Sequence, residues 1–140
     1  MKTKKKTLSS VKKKAWGVFS PFIRKRDCLL STGSPEYGEC CTCGEPLPFK
    51  ELQAGHFRPK KSGNYFSEKG VHAQCYQCNM YGKNGGEKGM PLEYYDYLVE
   101  LYGKKTANKL KKENQLIKKY TILDLEELIE YYKTKLEEME

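Results

Sequence analysis

Cys40-x-x-Cys43 and Cys75-x-x-Cys78 are the residues of this chain best spaced to do chemistry together. A two-residue spacer lets both sulfurs of a knuckle face one ion, and two knuckles supply four thiolates to one tetrahedral zinc. Burial as small apolar residues accounts well for a single cysteine and badly for two such pairs. Four thiolates leave no open coordination position, so this Zn²⁺ is expected to be structural. The 31 residues between the knuckles exceed what a simple ribbon needs, so the ion would pin an insert. Cys28 and Cys41 are left over. Cys41 adjoins a ligand and is an alternative one, although the Cys40/Cys43 spacing is better.

Both histidines lie in the insert. Glu51 to Phe57 reads as a strand that carries His56 near its end. Arg58 to Gly70 is a Lys/Gly/Asn-rich loop, and Val71 to Cys75 is a second strand with His72. Asn79 follows Cys78 directly, where a helix opens. This order suits phosphodiester hydrolysis. A neutral imidazole at His56 can take a proton from water near pH 7. An Asn79 carbonyl oxygen fits a hard divalent cation, Mg²⁺ or Mn²⁺, that offsets charge gathering on phosphate. Each residue also has a plainer role. A strand-end histidine is more often structural or a zinc ligand, helix capping rivals metal binding at Asn79, and His72 reads first as structural.

The charge pattern indicates the partner. Net charge is +8 over 140 residues, but the excess is local. Residues 1–26 hold ten bases and no acid, and the rest holds 16 bases and 18 acids. A near-neutral body with a cationic arm favours a polyanion, most simply nucleic acid. The arm, residues 1–20, is expected to be disordered at its start and to add phosphate affinity that falls with salt. Val11 to Phe19 would turn helical on docking, Pro21 would end that segment, and Phe22 to Asp27 would form a short separate helix or turn bearing Arg24 and Arg26. Arg58, Lys60 and Lys61 stand beside His56 to clamp phosphates. Tyr65 and Phe66 either stack on an unpaired base or pack the loop.

The remaining elements frame that insert. Residues 21–90 form the expected core and residues 91–140 a helical region. Leu92, Tyr95, Leu98, Val99 and Tyr102 make one helical face from Pro91 to Gly103. Asp124 with Glu127 reads as a helix start, and the acidic helix behind it would pack on the body or form a dimer seam. No apolar run approaches the ~20 residues of a membrane span, and no apolar segment follows the basic start as in a secretory signal. The expected compartment is therefore the cytoplasm, where thiols bind metal more often than they pair.

The residues from Val18 to Gly103 also resemble a family. Phe22-Ile23-Arg24-Lys25-Arg26-Asp27, Cys40-Cys41-Thr42-Cys43-Gly44, Gln53-Ala54-Gly55-His56-Phe57, Val71-His72-Ala73-Gln74-Cys75 and Cys78-Asn79 carry the likeness, with Tyr94 to Gly103 closing it. The chain resembles the NinG/Rap family of phage recombination endonucleases, a branch of the HNH or ββα-metal nucleases. The resemblance implies an α+β fold with a zinc-stapled, HNH-like core, a basic N-terminal arm and C-terminal helices. It implies a phage-encoded DNA endonuclease in the bacterial cytoplasm, cutting D-loops and Holliday junctions. His56 would be the general base, Asn79 a ligand of the catalytic metal, and Cys40, Cys43, Cys75 and Cys78 the zinc ligands. Paired cuts at a junction would call for a homodimer. Two positions depart from the pattern. Gly55 stands where many HNH enzymes place an Asp or His metal ligand, and Gly70 falls near the asparagine that orients the base. Asn84, Asn64, His72 and Glu68 are candidates for the missing roles. A zinc-dependent DNA-binding module without cleavage is the alternative reading.

Overall fold

The structure is a computed structural model and describes residues 6–139. Its first element is one continuous helix, α1 (Leu8–Thr32), not an arm followed by a short helix. Thr7 caps it: its hydroxyl accepts from the Ser10 N–H, and the Ser10 hydroxyl accepts from the Thr7 N–H. Val11, Ala15, Phe19, Phe22 and Ile23 recur at helical spacing and are buried. Pro21 lies within the helix without ending it. An interior proline costs about 3 kcal/mol, whereas burying each large apolar side chain returns about 2 kcal/mol. Phe19, Phe22 and Ile23 flank Pro21 and offset its cost. The expected boundary after residue 20 therefore falls inside α1. Lys2, Lys4 and Lys5 lie outside the described residues.

Two small antiparallel sheets follow. Strands β1 (Tyr37–Glu39) and β2 (Pro46–Pro48) pair with Glu39 opposite Pro46, and the first knuckle is the tip of this hairpin. Gly44 closes it with φ +76°, a left-handed conformation that glycine adopts freely. Strands β3 (Leu52–His56) and β4 (Val71–Cys75) pair with Gly55 opposite His72. These are the two expected strands, β4 to the residue. A short helix, α2 (Tyr76–Met80), continues from β4 and carries Cys78 and Asn79.

Three more helices complete this mixed α+β chain: α3 (Pro91–Tyr102), α4 (Lys104–Leu110) and α5 (Ile122–Glu138). The start of α5 is Thr121, whose hydroxyl accepts from the Asp124 N–H while Asp124 accepts from the Thr121 N–H. Asp124 is thus the third helical residue of the capping box rather than its first member. The apolar face of α5 packs on α1: Tyr132 joins Phe19, Phe22, Ile23 and Val71, and Leu125 joins Val11 and Ala15. On the other side of the hairpin, Phe57 packs with Tyr94, Leu98, Ala107 and Leu110. The β3–β4 hairpin is held from both sides, which fixes the insert rigidly.

Asp27 links the two sides. Its carboxylate is 3 % exposed and accepts from Arg26 Nε at 2.9 Å and the Ala73 N–H at 2.7 Å, with His72 Nδ1 at 3.0 Å. Burial opposes its charge, but the hydrogen bonds and charges of His72 and Arg26 outweigh that and hold its pKa below the ordinary carboxylate range. The substitution Asp27→Ala leaves the half-buried Arg26 guanidinium without its counter-ion and the buried Ala73 N–H without its acceptor. Stability should fall by about 3–5 kcal/mol, measured by denaturant unfolding of the zinc-loaded protein.

Candidate functional site

The four knuckle thiols meet as their spacing predicts. The sulfurs of Cys40, Cys43, Cys75 and Cys78 all lie within 4.8 Å of one another, and Cys43 and Cys75 are 3.9 Å apart. Thiolates about 2.3 Å from a tetrahedral zinc would stand about 3.8 Å from each other. The donor set therefore suits a structural zinc, with one pair already at that spacing. Neighbouring groups suit thiolate: the Cys78 N–H reaches Cys75 Sγ at 3.4 Å, and Lys83 Nζ reaches Cys43 Sγ at 3.6 Å. Burial pushes the Cys40 thiol up, but the Thr42 hydroxyl and backbone N–H groups outweigh this and bring it down to about 7. Cys28 and Cys41 are outside the cluster. Cys28 packs with Leu52 and Ala73, and Cys41 packs against the Phe57–Tyr94 side. Cys41 is therefore not part of the ligand set.

A cleft of about 860 Å³ opens beside this centre. Its walls bring together His56, Asn79, Arg24, Arg58 and Lys60, five residues from α1, β3, α2 and the following loop. The His56 ring stacks on Trp16, with centroids 5.4 Å apart and planes 14° from parallel. His56 Nε2 lies 3.1 Å from the Tyr65 carbonyl. A carbonyl only accepts, so Nε2 carries the proton and Nδ1 keeps the lone pair of the neutral ring. The Tyr65 carbonyl thus orients the imidazole, a function that no side chain near Gly70 performs.

Burial lowers the His56 pKa from 6.5 to about 4, with Lys60 adding to the shift and the Tyr65 carbonyl opposing it. The imidazole is neutral and able to accept a proton throughout the physiological range. The unfolded chain protonates near pH 6.5 while the folded one resists down to about 4. His56 therefore contributes nothing unfavourable above 6.5, and stability is lost as pH falls from there to about 4. That loss is roughly 3 kcal/mol. Unfolding of His56→Gln should show a correspondingly flatter dependence over this window than the parent, with the zinc contribution common to both.

Asn79 Nδ2 donates to Gln53 Oε1 at 2.8 Å, which holds the amide against β3. Among the basic residues, Arg24 bonds the Ser20 carbonyl and lies over the Phe49 ring at 4.5 Å. Arg58 Nε is buried at the cleft with no hydrogen-bond partner. Lys60 is exposed and its ammonium stands 5.3 Å from the Tyr65 ring. Two expected phosphate contacts sit elsewhere. Arg26 is committed to Asp27 and to the Glu68 and Val71 carbonyls, so its donors are used inside the fold. Lys61 is exposed on the loop but does not line the cleft.

Other expected partners are structural. Asn64 braces its own loop through the Lys61 N–H and the Arg58 and Pro59 carbonyls. His72 sits in the Asp27 network with its Nε2 3.0 Å from the Lys69 carbonyl. Neither Asn84 nor Glu68 lines the cleft. Phe66 packs between Phe19 and Tyr120, and Tyr65 packs its edge on Trp16 under Lys12. In the free protein both rings pack within the fold. Trp16, Gln53 and the Tyr65 carbonyl were not legible as site members. The lone tryptophan was the only hint.

Fold and site together define a small α+β protein organised around a four-cysteine cluster able to hold a metal ion, with an adjoining cleft rich in basic residues. The sequence matches the family described as Bacteriophage Lambda NinG protein over residues 1–140, so the chain belongs to the NinG family. That membership gives it a recombination-related phage function. Comparisons with curated proteins and with solved structures returned no match. Among the described residues, no helix is long and apolar enough to cross a membrane.

Proposed function

We propose that this protein is a metal-dependent DNA endonuclease of the HNH-like class, acting on branched intermediates of phage recombination. One observation carries the reading: a neutral imidazole with a free Nδ1, an asparagine amide and four basic side chains, Arg24, Arg58, Lys60 and Lys88, line one cleft. The β3–β4–α2 order places the base on a strand and the asparagine on the helix behind it. Cys40, Cys43, Cys75 and Cys78 would hold a structural Zn²⁺, and that ion fixes the hairpin against the helix.

In the reaction, His56 Nδ1 takes a proton from a water attacking phosphorus. The P–O3′ bond breaks, leaving a 5′-phosphate and a 3′-oxyanion that takes a proton from solvent water to become the 3′-hydroxyl. Arg58, with its unpaired Nε, and Lys60 and Arg24 hold the phosphate oxygens. When bound at Asn79, Mg²⁺ or Mn²⁺ supplies Lewis-acid stabilisation of the charge that develops at phosphate and at the leaving oxygen. The cleft contacts read phosphate geometry rather than base edges, which suits recognition by branch shape.

The zinc-loaded protein is incubated with a four-way junction, a D-loop and a linear duplex in Mg²⁺ or Mn²⁺. Nicks near the branch, absent with a chelator of hard divalent cations, support the proposal. Junction binding without any nick in either metal would leave only a DNA-binding module.

A further inference from the structure

Behind the cleft wall that Ala54 and His56 form, Gly55 meets a buried polar atom with no hydrogen-bond partner. Gln74 is fully buried on β4, and its Oε1 has no hydrogen-bond partner. Its amide is not free to turn over: Nε2 donates to the Gly89 carbonyl at 3.0 Å and to the Thr42 hydroxyl at 3.1 Å. Because a carbonyl cannot donate, the nitrogen must face Gly89, which leaves the oxygen facing Gly55. A Cβ on Gly55 would stand 1.9 Å from Gln74 Oε1 and 3.0 Å from Asn79 Oδ1. Gln74 Oε1 therefore takes the place a side chain at Gly55 would fill, and Asn79 Oδ1 approaches the same point. A buried acceptor without a donor is unfavourable, and a second amide oxygen brought towards the same point adds repulsion. A hard cation relieves both, since amide oxygens are its natural ligands.

We propose that Gln74 Oε1 joins Asn79 Oδ1 as a protein ligand of the divalent cation in the cleft. This inference rests on the reading of the cleft as a divalent-cation site. It gives Gly55 a reason: the position ahead of the base carries no ligand because a residue across the hairpin delivers one into the same space. It also ties the two metals together, because Gln74 precedes the zinc ligand Cys75 and its amide is braced by Thr42 of the first knuckle.

The test measures Mn²⁺ binding to the zinc-loaded protein without DNA, from the loss of the free Mn²⁺ electron paramagnetic resonance signal. Gln74→Glu, which puts a charged oxygen at the same reach, should tighten Mn²⁺ about tenfold, and Gln74→Met should weaken it about tenfold or more. Gly55→Ala should weaken it as well, because its methyl group displaces Oε1. Asn79→Ala marks the loss of the other ligand. If Asn79→Ala loses Mn²⁺ while Gln74→Glu and Gln74→Met bind like the parent, Gln74 is only a packed amide and the nuclease reading stands. If the parent itself binds no Mn²⁺, both fall. Zinc content and thermal unfolding check each variant, and if Gln74→Met does not load zinc the result is read from Gln74→Glu alone.

Discussion

Cys43→Ser and Cys75→Ser should each leave the domain unfolded at ordinary temperature and without zinc. Structural zinc sites contribute on the order of 10 kcal/mol or more, and whole domains of this size are stable by only about 5–15 kcal/mol. Little else replaces the ion here. Its ligands come from the tip of β1–β2, the end of β4 and the start of α2, and those hairpins are three and five residues deep. Without the metal, four thiols are left crowded within 4.8 Å of one another. Far-ultraviolet circular dichroism and elemental analysis on the purified variants provide the readout. Cys41→Ala is the sharp control: it should keep full zinc and lose at most about 1–3 kcal/mol, because its thiol packs away from the cluster. A zinc-free but folded Cys43→Ser would show that the hairpins stand without the ion.

The second large effect concerns the chemistry itself. On the proposed nuclease reading, His56→Ala should slow nicking of a four-way junction by about 10²–10⁴-fold, with junction affinity and zinc content close to those of the parent. The Nδ1 lone pair is the acceptor for the water proton, and no other imidazole lines the cleft. His72 cannot substitute, since it is buried and engaged by Asp27, Arg26 and the Lys69 carbonyl. With a pKa of about 4 in the free protein, His56 is already neutral at pH 6, so its protonation should not limit the rate between pH 6 and 8. His56→Gln fills more of the space against Trp16 and separates lost packing from lost base. A variant that nicks at the parental rate would remove His56 from the mechanism.

Several parts of the molecule were legible before any coordinates. The knuckles are local: Cys-x-x-Cys with Gly44 sets its own turn, and metal geometry demands four sulfurs. Strand β4, helix α3 and the ββα order could be read from short apolar runs, from Pro91 and from Gly103. The places of His56 at a strand end and of Asn79 after the last cysteine were legible too, because sequence order alone sets them.

Other features depend on partners far along the chain. Helix α1 runs through Pro21 because α5, more than ninety residues later, covers the face on either side of it. Arg24 and Arg26 look alike in sequence, yet a helix turns about 200° over two residues. One therefore meets the cleft and the other meets Asp27 and β4. The orientation of His56 comes from a backbone carbonyl at Tyr65, which any residue type could have supplied. Gln74 looked like a spacer between His72 and Cys75, and only the pairing of β3 with β4 brings its oxygen beside Gly55. The sequence by itself determined which four cysteines cluster as a possible metal site and the order of the elements, because those follow from short-range spacing and ligand chemistry. The tertiary structure alone decided which charged and polar groups face the cleft, because burial and hydrogen-bond satisfaction are settled between segments that approach only once the chain has folded.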